Sequence, residues 1–274
     1  MQPRLIVLAL LFAPCQWAFG QSFNIAVGPP GNQPSSSYAA AGLPGYWNAF
    51  PAYNNTTTYN LIQLDGTTTS VYSWQYGGTQ LLNSDDPATS GNDEQLMDHC
   101  QVTYTQGLET CLFFYNLQNG DYEVLVYAWM PNQPAVLSNT SSDEEPGNPH
   151  IVVGGAWPGH QAQGITYARH FAHVGGANPG LLRTHSGIAP GQNPALGAAY
   201  NGVQIRQLPA RQPGDMNCDG LVNGQDIGPF VAALVDPSTY YASEASCRID
   251  NADVNGDSQI TPADIPGFIA LLGF

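Results

Sequence analysis

Asn119-Gly120-Asp121-Tyr122-Glu123-Val124-Leu125-Val126-Tyr127-Ala128-Trp129 is the stretch on which the fold turns. Asn-Gly is a turn signal, and the run after it is apolar on both faces apart from Glu123, as a central strand covered on both sides requires. Outward from it, strand-like runs recur at 23–27, 60–64, 70–76, 110–116, 150–153, 164–174 and 203–207. Asp65-Gly66, Gly77-Gly78 and Asn201-Gly202 punctuate them. Long helical periodicity is absent from 21–208. That length suits one sizeable core rather than two, so the reading is mainly β: a single antiparallel β-sandwich.

Composition agrees. Charged residues make up 10% of the 274, against about 25% in ordinary globular chains. Gly (30), Pro (22) and Tyr (14) are plentiful, as expected of short strands joined by turns. All six basic side chains are Arg, and the formal net charge is −15. Such a surface repels phosphate backbones and anionic lipid, which argues against nucleic acid and membrane insertion.

Residues 1–20 read as a signal peptide. Arg4 gives the positive charge, 5–13 form an apolar run too short to span a bilayer, and Ala18-Phe19-Gly20 places cleavage after Gly20. The expected location is secreted or extracellular, with cell-surface attachment left open. Cys15 leaves with the leader. Cys100, Cys111, Cys218 and Cys247 remain, an even number that favours disulfides over metal thiolates in an exported chain. Of three connectivities, the short loops favour Cys100–Cys111 and Cys218–Cys247.

After a linker at 209–213, two segments repeat within 214–274. One runs Asp215-Met216-Asn217-Cys218-Asp219-Gly220-Leu221-Val222-Asn223-Gly224-Gln225-Asp226. The other runs Asp253-Val254-Asn255-Gly256-Asp257-Ser258-Gln259-Ile260-Thr261-Pro262-Ala263-Asp264. Each places oxygen-bearing side chains at loop positions 1, 3, 5 and 12, and a backbone carbonyl at position 7 (Leu221, Gln259) completes a set of hard oxygen donors for Ca2+. Gly220 suits the sharp turn at position 6, whereas Ser258 departs from it. Val222 and Ile260 are placed to pair the two loops. Asp226-Ile227-x-x-Phe230-Val231-Ala232-x-Leu234 and Asp264-Ile265-x-x-Phe268-Ile269-Ala270-x-Leu272 then predict one apolar helix face each. No helix pattern precedes either loop.

This duplicated loop–helix unit resembles the type I dockerin family, with Asp at position 12. The resemblance implies two Ca2+ ions, held by Asp215, Asn217, Asp219, Leu221 and Asp226, and by Asp253, Asn255, Asp257, Gln259 and Asp264. Folding should then be coupled to calcium. It also implies a cohesin-like protein partner, although positions 10 and 11 (Gly224-Gln225, Pro262-Ala263) differ from the pairs usual in the family. A self-contained calcium-stabilised cap is the alternative.

The domain in front resembles galactose-binding-like or malectin-like jelly rolls through Tyr46-Trp47-Asn48, Asn119-Gly120-Asp121-Tyr122-Glu123-Val124 and Asn201-Gly202-Val203-Gln204-Ile205. That resemblance implies carbohydrate binding. Period-two alternation puts Tyr72, Trp74 and Tyr76 on one strand face, either as a stacking platform for sugar rings or as core filling. Trp157 and His160, in the Gly-rich loop 154–164, are alternative contacts. Asp85, Asp86, Asp93, Glu94 and Asp98 form an acidic cluster that reads as a solvated loop, a glycosidase carboxylate pair or a further calcium site. His170 and His173, three apart on a strand, point to opposite faces and do not share a zinc ion. No catalytic constellation stands out.

Three functions remain: a non-catalytic polysaccharide- or glycan-binding module joined to a dockerin, a small glycoside hydrolase or polysaccharide lyase carrying one, and a structural cell-surface protein anchored through it.

Overall fold

The stretch after Asn119-Gly120 is an inner strand of a five-stranded sheet. A computed structural model describes residues 20–51, 54–78, 80–244 and 247–273, so the leader, Gly20 excepted, lies outside the described residues. The strands are β1 (Ser22–Val27), β2 (Trp47–Phe50), β3 (Thr57–Thr58), β4 (Tyr72–Tyr76), β5 (Gln80–Asn83), β6 (His99–Thr103), β7 (Glu109–Tyr115), β8 (Gly120–Tyr127), β9 (Leu137–Ser142), β10 (Ile151–Gly154), β11 (Tyr167–Val174), β12 (Leu182–Ile188), β13 (Ala198–Tyr200) and β14 (Gly202–Gln207). The helices are α1 (Asn92–Met97), α2 (Ile227–Val235), α3 (Pro237–Ser243) and α4 (Ile265–Leu271).

Two sheets, β11-β8-β14-β1-β2 and β10-β9-β12-β7-β4-β3, face each other, and β13-β6-β5 forms a third. Between the large sheets lie Phe23 and Ile25 of β1, Leu112 and Phe114 of β7, Tyr122, Val124 and Val126 of β8, and Val203 and Ile205 of β14. Each fully buried side chain of this kind contributes roughly 1.5–3 kcal/mol, which makes this layer the main source of stability. The alternate residues of β8, Leu125 and Tyr127, pack on the outer side under Trp47, Leu96, Met97 and Trp129. That second layer is why β8 is apolar on both faces.

The sandwich departs from the expectation in three ways. First, β1 pairs with β14 antiparallel but with β2 in parallel, from Asn24↔Trp47 to Val27↔Phe50. Second, the run at 60–64 is not a strand. It lies along the side chain of Asn48, which accepts from Ile62 N (2.9 Å) and donates to the Ile62 (2.8 Å) and Asn24 (3.1 Å) carbonyls. Third, Cys100 and Cys111 are both buried and free. Cys100 on β6 packs against Met130 (Sγ–Sδ 3.9 Å), whereas Cys111 on β7 belongs to another sheet and meets His185. Short separation along the chain does not bring them together.

The C-terminal residues build a core of their own from Met216, Phe230, Ala233, Tyr240, Cys247, Ala252 and Phe268. At its centre the equivalent phenylalanines of the two repeats, Phe230 and Phe268, stack with centroids 3.9 Å apart. Leu234 and Leu272 pack against this core, but Val231 and Ile269 point to solvent, so the inward helix face is narrower than the repeat suggests. Val222 and Ile260 also pack on the core, and no β-bridge joins them among the described residues. Cys218 and Cys247 form the disulfide.

This unit sits on the outer face of the five-stranded sheet. Arg248 spans the junction, donating to Asp121 Oδ2 on β8 (2.6 Å) and to both carboxylate oxygens of Asp250 (2.8 and 2.6 Å). Tyr241 of α3 lies over the guanidinium of Arg169 on β11, 3.8 Å from Cζ to ring centroid. Beneath it the buried Glu123 pairs with Arg169 and with Arg206 (2.7 Å). The segment expected as a linker is pinned here too: Arg211 reaches Asp253 Oδ2 (3.1 Å), and Gln212 N donates to Asn251 Oδ1 (3.0 Å).

Candidate functional site: an aromatic sheet face and two acidic loops

Among the described residues, no covering layer of the kind that buries β8 lies on the outer face of the six-stranded sheet. Alternation along β4 turns Ser73 and Gln75 inward, both fully buried, and Tyr72, Trp74 and Tyr76 outward. The core-filling reading of these rings is therefore corrected. Register then assembles the rest of the face: Tyr72 pairs with Tyr115 and Trp74 with Phe113 on β7. Tyr72 and Tyr115 stack at 4.8 Å, Trp74 lies 5.0 Å from Phe113, and Tyr59 extends the row at 5.7 Å from Tyr72. Tyr59 is 69% exposed and Tyr76 47% exposed, so ring faces meet solvent at both ends of the row. Such faces can stack on apolar faces of a ligand while the phenol hydroxyls hydrogen-bond at its edge.

Sequence reading missed Tyr59, Phe113 and Tyr115. Strand β7 is apolar on both sides, with Leu112 and Phe114 inward, so its parity could be fixed only by its pairing to β4.

Further along β7 the face becomes ionic. Cys111 Sγ lies 2.9 Å from His185 Nδ1, Glu109 Oε2 lies 3.3 Å from the same nitrogen, and Asp143 Oδ2 lies 3.1 Å from His185 Nε2. Burial, the largest single influence, works against the imidazolium, yet the contacts with Cys111, Glu109 and Asp143 outweigh it and raise the His185 pKa to about 10. The hydrogen bond from His185 in turn holds Glu109 below the usual carboxylate range.

Trp157 and His160 are not part of this face. Trp157 packs 5.2 Å from Trp129 over the outer side of the five-stranded sheet, and His160 is exposed on the same loop. The acidic cluster divides. Asp98 accepts from Asp86 N and Thr89 Oγ1 (both 2.8 Å), Asp86 accepts from Asn132 N (2.6 Å), and Asp93 pairs with Tyr38 and Gln161. Only Asp85, Glu94 and Asp98 bring carboxylate oxygens within 4.8 Å of one another. His170 is buried against Glu145 (2.7 Å) and Thr140 (3.1 Å), while His173 is exposed beside Asp121 (2.7 Å) on the other face.

The two Asp-rich loops have the same internal geometry. Asp215 accepts from Asp219 N (3.2 Å) and Gly220 N (3.0 Å), and Asp253 accepts likewise from Asp257 N (3.1 Å) and Ser258 N (3.1 Å). The last loop residue closes each turn: Asp226 accepts from Met216 N (2.7 Å) and Asn223 N (2.8 Å), Asp264 from Val254 N (2.9 Å) and Thr261 N (2.9 Å). Asp226 and Asp264 thereby also complete capping boxes with Asn223 and Thr261. At position 6, Gly220 and Ser258 share the left-handed conformation, with φ 87 and 65. Burial raises the Asp215 pKa, and the nearby Asp226 and Asp219 carboxylates raise it further. Each loop thus holds its three aspartates on its own backbone N–H groups, and the three carboxylates of neither loop come within 4.8 Å of one another as Asp85, Glu94 and Asp98 do. Leu221 and Gln259, the carbonyl positions, are exposed.

No protein-family model and no curated protein sequence matches the chain. Among solved structures it is similar to plant peptide RALF23 in complex with FER and LLG2, at 12% identity and TM-score 0.41 over 76% of this chain and 45% of that one. It is also similar to the ANX2 ectodomain from Arabidopsis thaliana (13%, TM-score 0.35, covering 68% and 49%) and to CBM35 from Cellvibrio japonicus Abf62 (10%, TM-score 0.28, covering 50% and 92%). The chain thus spans about half the length of the first two. Likenesses at this level assign it neither family nor activity.

Proposed function

We propose that this is an exported, non-catalytic glycan-binding protein whose C-terminal unit is a calcium-binding dockerin-like module. The observation that carries the first half is the outward row of Tyr59, Tyr72, Trp74, Phe113, Tyr115 and Tyr76. Sugars present flat C–H faces, and a row of rings on a rigid sheet binds them with little ordering cost.

In the C-terminal unit, Asp215, Asn217, Asp219, the Leu221 carbonyl and Asp226 hold one Ca2+, and Asp253, Asn255, Asp257, the Gln259 carbonyl and Asp264 hold the other. Bound calcium neutralises carboxylates that otherwise repel. The equivalent exposed pairs Ile227/Val231 on α2 and Ile265/Ile269 on α4 give this unit an apolar surface suited to a cohesin-like partner.

The test is retention of the full chain on a panel of insoluble and soluble polysaccharides, with reducing ends assayed in the same tubes. Trp74→Ala is expected to weaken retention by about 5–150-fold, taking roughly 1–3 kcal/mol for one stacked ring. Trp157→Ala, on the far side, should leave it unchanged. New reducing ends would move the reading to a glycoside hydrolase. Neither binding nor release would leave a structural protein anchored through its C-terminal unit.

A further inference from the structure

Cys111 is a free thiol in a chain whose other cysteine pair is oxidised, and it is buried with its sulfur against one imidazole nitrogen. Three donor types meet there: the thiol of Cys111, Nδ1 of His185 and a carboxylate oxygen of Glu109, all within 4.8 Å of one another. Cys111 and His185 are cross-strand partners on β7 and β12, and Glu109 is two residues before Cys111, on the same face. The site therefore rests on paired strands rather than on a loop.

From this geometry we infer a binding site for a thiophilic divalent cation of the zinc type, held by Cys111 Sγ, His185 Nδ1 and Glu109 at the end of the aromatic face, the thiol and imidazolium protons being released to solvent as the ion binds. Zinc bonds of about 2.3 Å to sulfur and about 2.0–2.2 Å to nitrogen and oxygen, at tetrahedral angles, separate S and N by about 3.6 Å and N and O by about 3.4 Å. The Nδ1–Oε2 distance of 3.3 Å already matches, and the Sγ–Nδ1 distance of 2.9 Å has to open by about 0.7 Å. Asp143 Oδ2 lies 3.1 Å from His185 Nε2 without hydrogen-bond alignment, near enough to turn onto the second nitrogen of a ligating histidine. Three protein ligands leave a fourth position, and the partly exposed side of Glu109 places it toward solvent beside Tyr76, the cross-strand partner of Cys111. A catalytic thiol is the poorer reading, because no pair of backbone N–H donors faces the sulfur among the hydrogen bonds of the described residues.

The experiment uses the full chain carrying Cys15→Ser, purified without oxygen and kept in excess calcium so that the Asp-rich loops are filled. Zn2+ affinity and stoichiometry are read by competition with a chromophoric chelator, and Co2+ is added as a spectroscopic probe. The expected result is one tight Zn2+ and a near-ultraviolet thiolate-to-cobalt band that Cys111→Ser abolishes and Cys100→Ser leaves intact. No such band in a chain whose Cys111 titrates as a free thiol overturns the site, as does a band that survives Cys111→Ser. If Cys111→Ser fails to fold, Glu109→Gln replaces it. Zn2+ affinity must then fall by about tenfold or more, and an unchanged affinity overturns the site.

Discussion

Glu123→Gln should be among the most damaging single changes in the molecule. Glu123 is 4% exposed, and its carboxylate is shared between Arg169 and Arg206, each with a 9% exposed side chain. One negative charge thus balances two buried positive ones, and Arg169 Nε together with Arg206 Nε and Nη1 finds no other partner. Burial already pushes both guanidinium groups down to about 10, so they remain charged at neutral pH. Glutamine keeps the shape and removes the charge. Leaving a buried cation uncompensated costs about 3–5 kcal/mol, a large part of a total stability of roughly 5–15 kcal/mol. Urea unfolding in excess calcium, followed by tryptophan fluorescence, measures the loss. Replacing the whole triad by apolar residues (Glu123→Leu, Arg169→Met, Arg206→Met) should recover most of it, because the penalty is the unpaired charge and not lost volume. A loss for Glu123→Gln below about 1 kcal/mol would refute this reasoning, since that is the size expected of an exposed pair.

Ser258 sits at φ 65 where its counterpart Gly220 sits at φ 87, and nothing lies within 4 Å of a Cβ added at Gly220. The left-handed penalty of about 1–2 kcal/mol is then purely conformational and is partly offset by the unfolded-state freedom of glycine. Ser258→Gly should raise calcium affinity and thermal stability slightly, and Gly220→Ser should lower both; shifts of the same sign in the two variants would count against it. The pKa of buried His99 is lowered, chiefly by desolvation, so the folded state binds its proton less readily than the unfolded chain. Its contribution is therefore present above about pH 6.5 and lost on acidification below that, and His99→Gln should flatten the melting temperature between pH 7.5 and 5. Removing calcium should loosen the C-terminal unit without fully unfolding it, because the Cys218–Cys247 bridge closes a loop with sequence separation 29, worth about 3.6 kcal/mol. Chelator added to a Cys218→Ser, Cys247→Ser chain should then abolish the helical circular dichroism of this unit, and retention of that signal would contradict the coupling.

What could be read from the sequence followed from local chemistry. The two-faced apolar run of β8 announced a central strand because both of its faces are covered. The loop repeat was legible because its hydrogen bonds lie within a dozen residues. Strands β6, β9 and β12 were not legible, since HCQVT, LSNTSS and LRTHSGI are polar enough to pass for loops. They are nonetheless largely buried, and some of their polar groups find partners on other elements, such as Thr184 with the Tyr200 hydroxyl (2.7 Å) and Ser186 with the Ala199 carbonyl (2.5 Å). The aromatic face and the meeting of Cys111 with His185 depend on register between strands far apart in the chain, which composition does not encode. The same ignorance of register allowed a Cys100–Cys111 bridge to look reasonable.

Arg169, Arg206, Arg211 and Arg248 all gather where the C-terminal unit meets the sandwich, on the side opposite the aromatic row. The chain is therefore built more like a bracket than a tether. A partner that gripped α2 and α4 would have no slack segment to take up before the sandwich moved with it. A chain held by that end would turn the rings of β4 and β7 away from whatever held it.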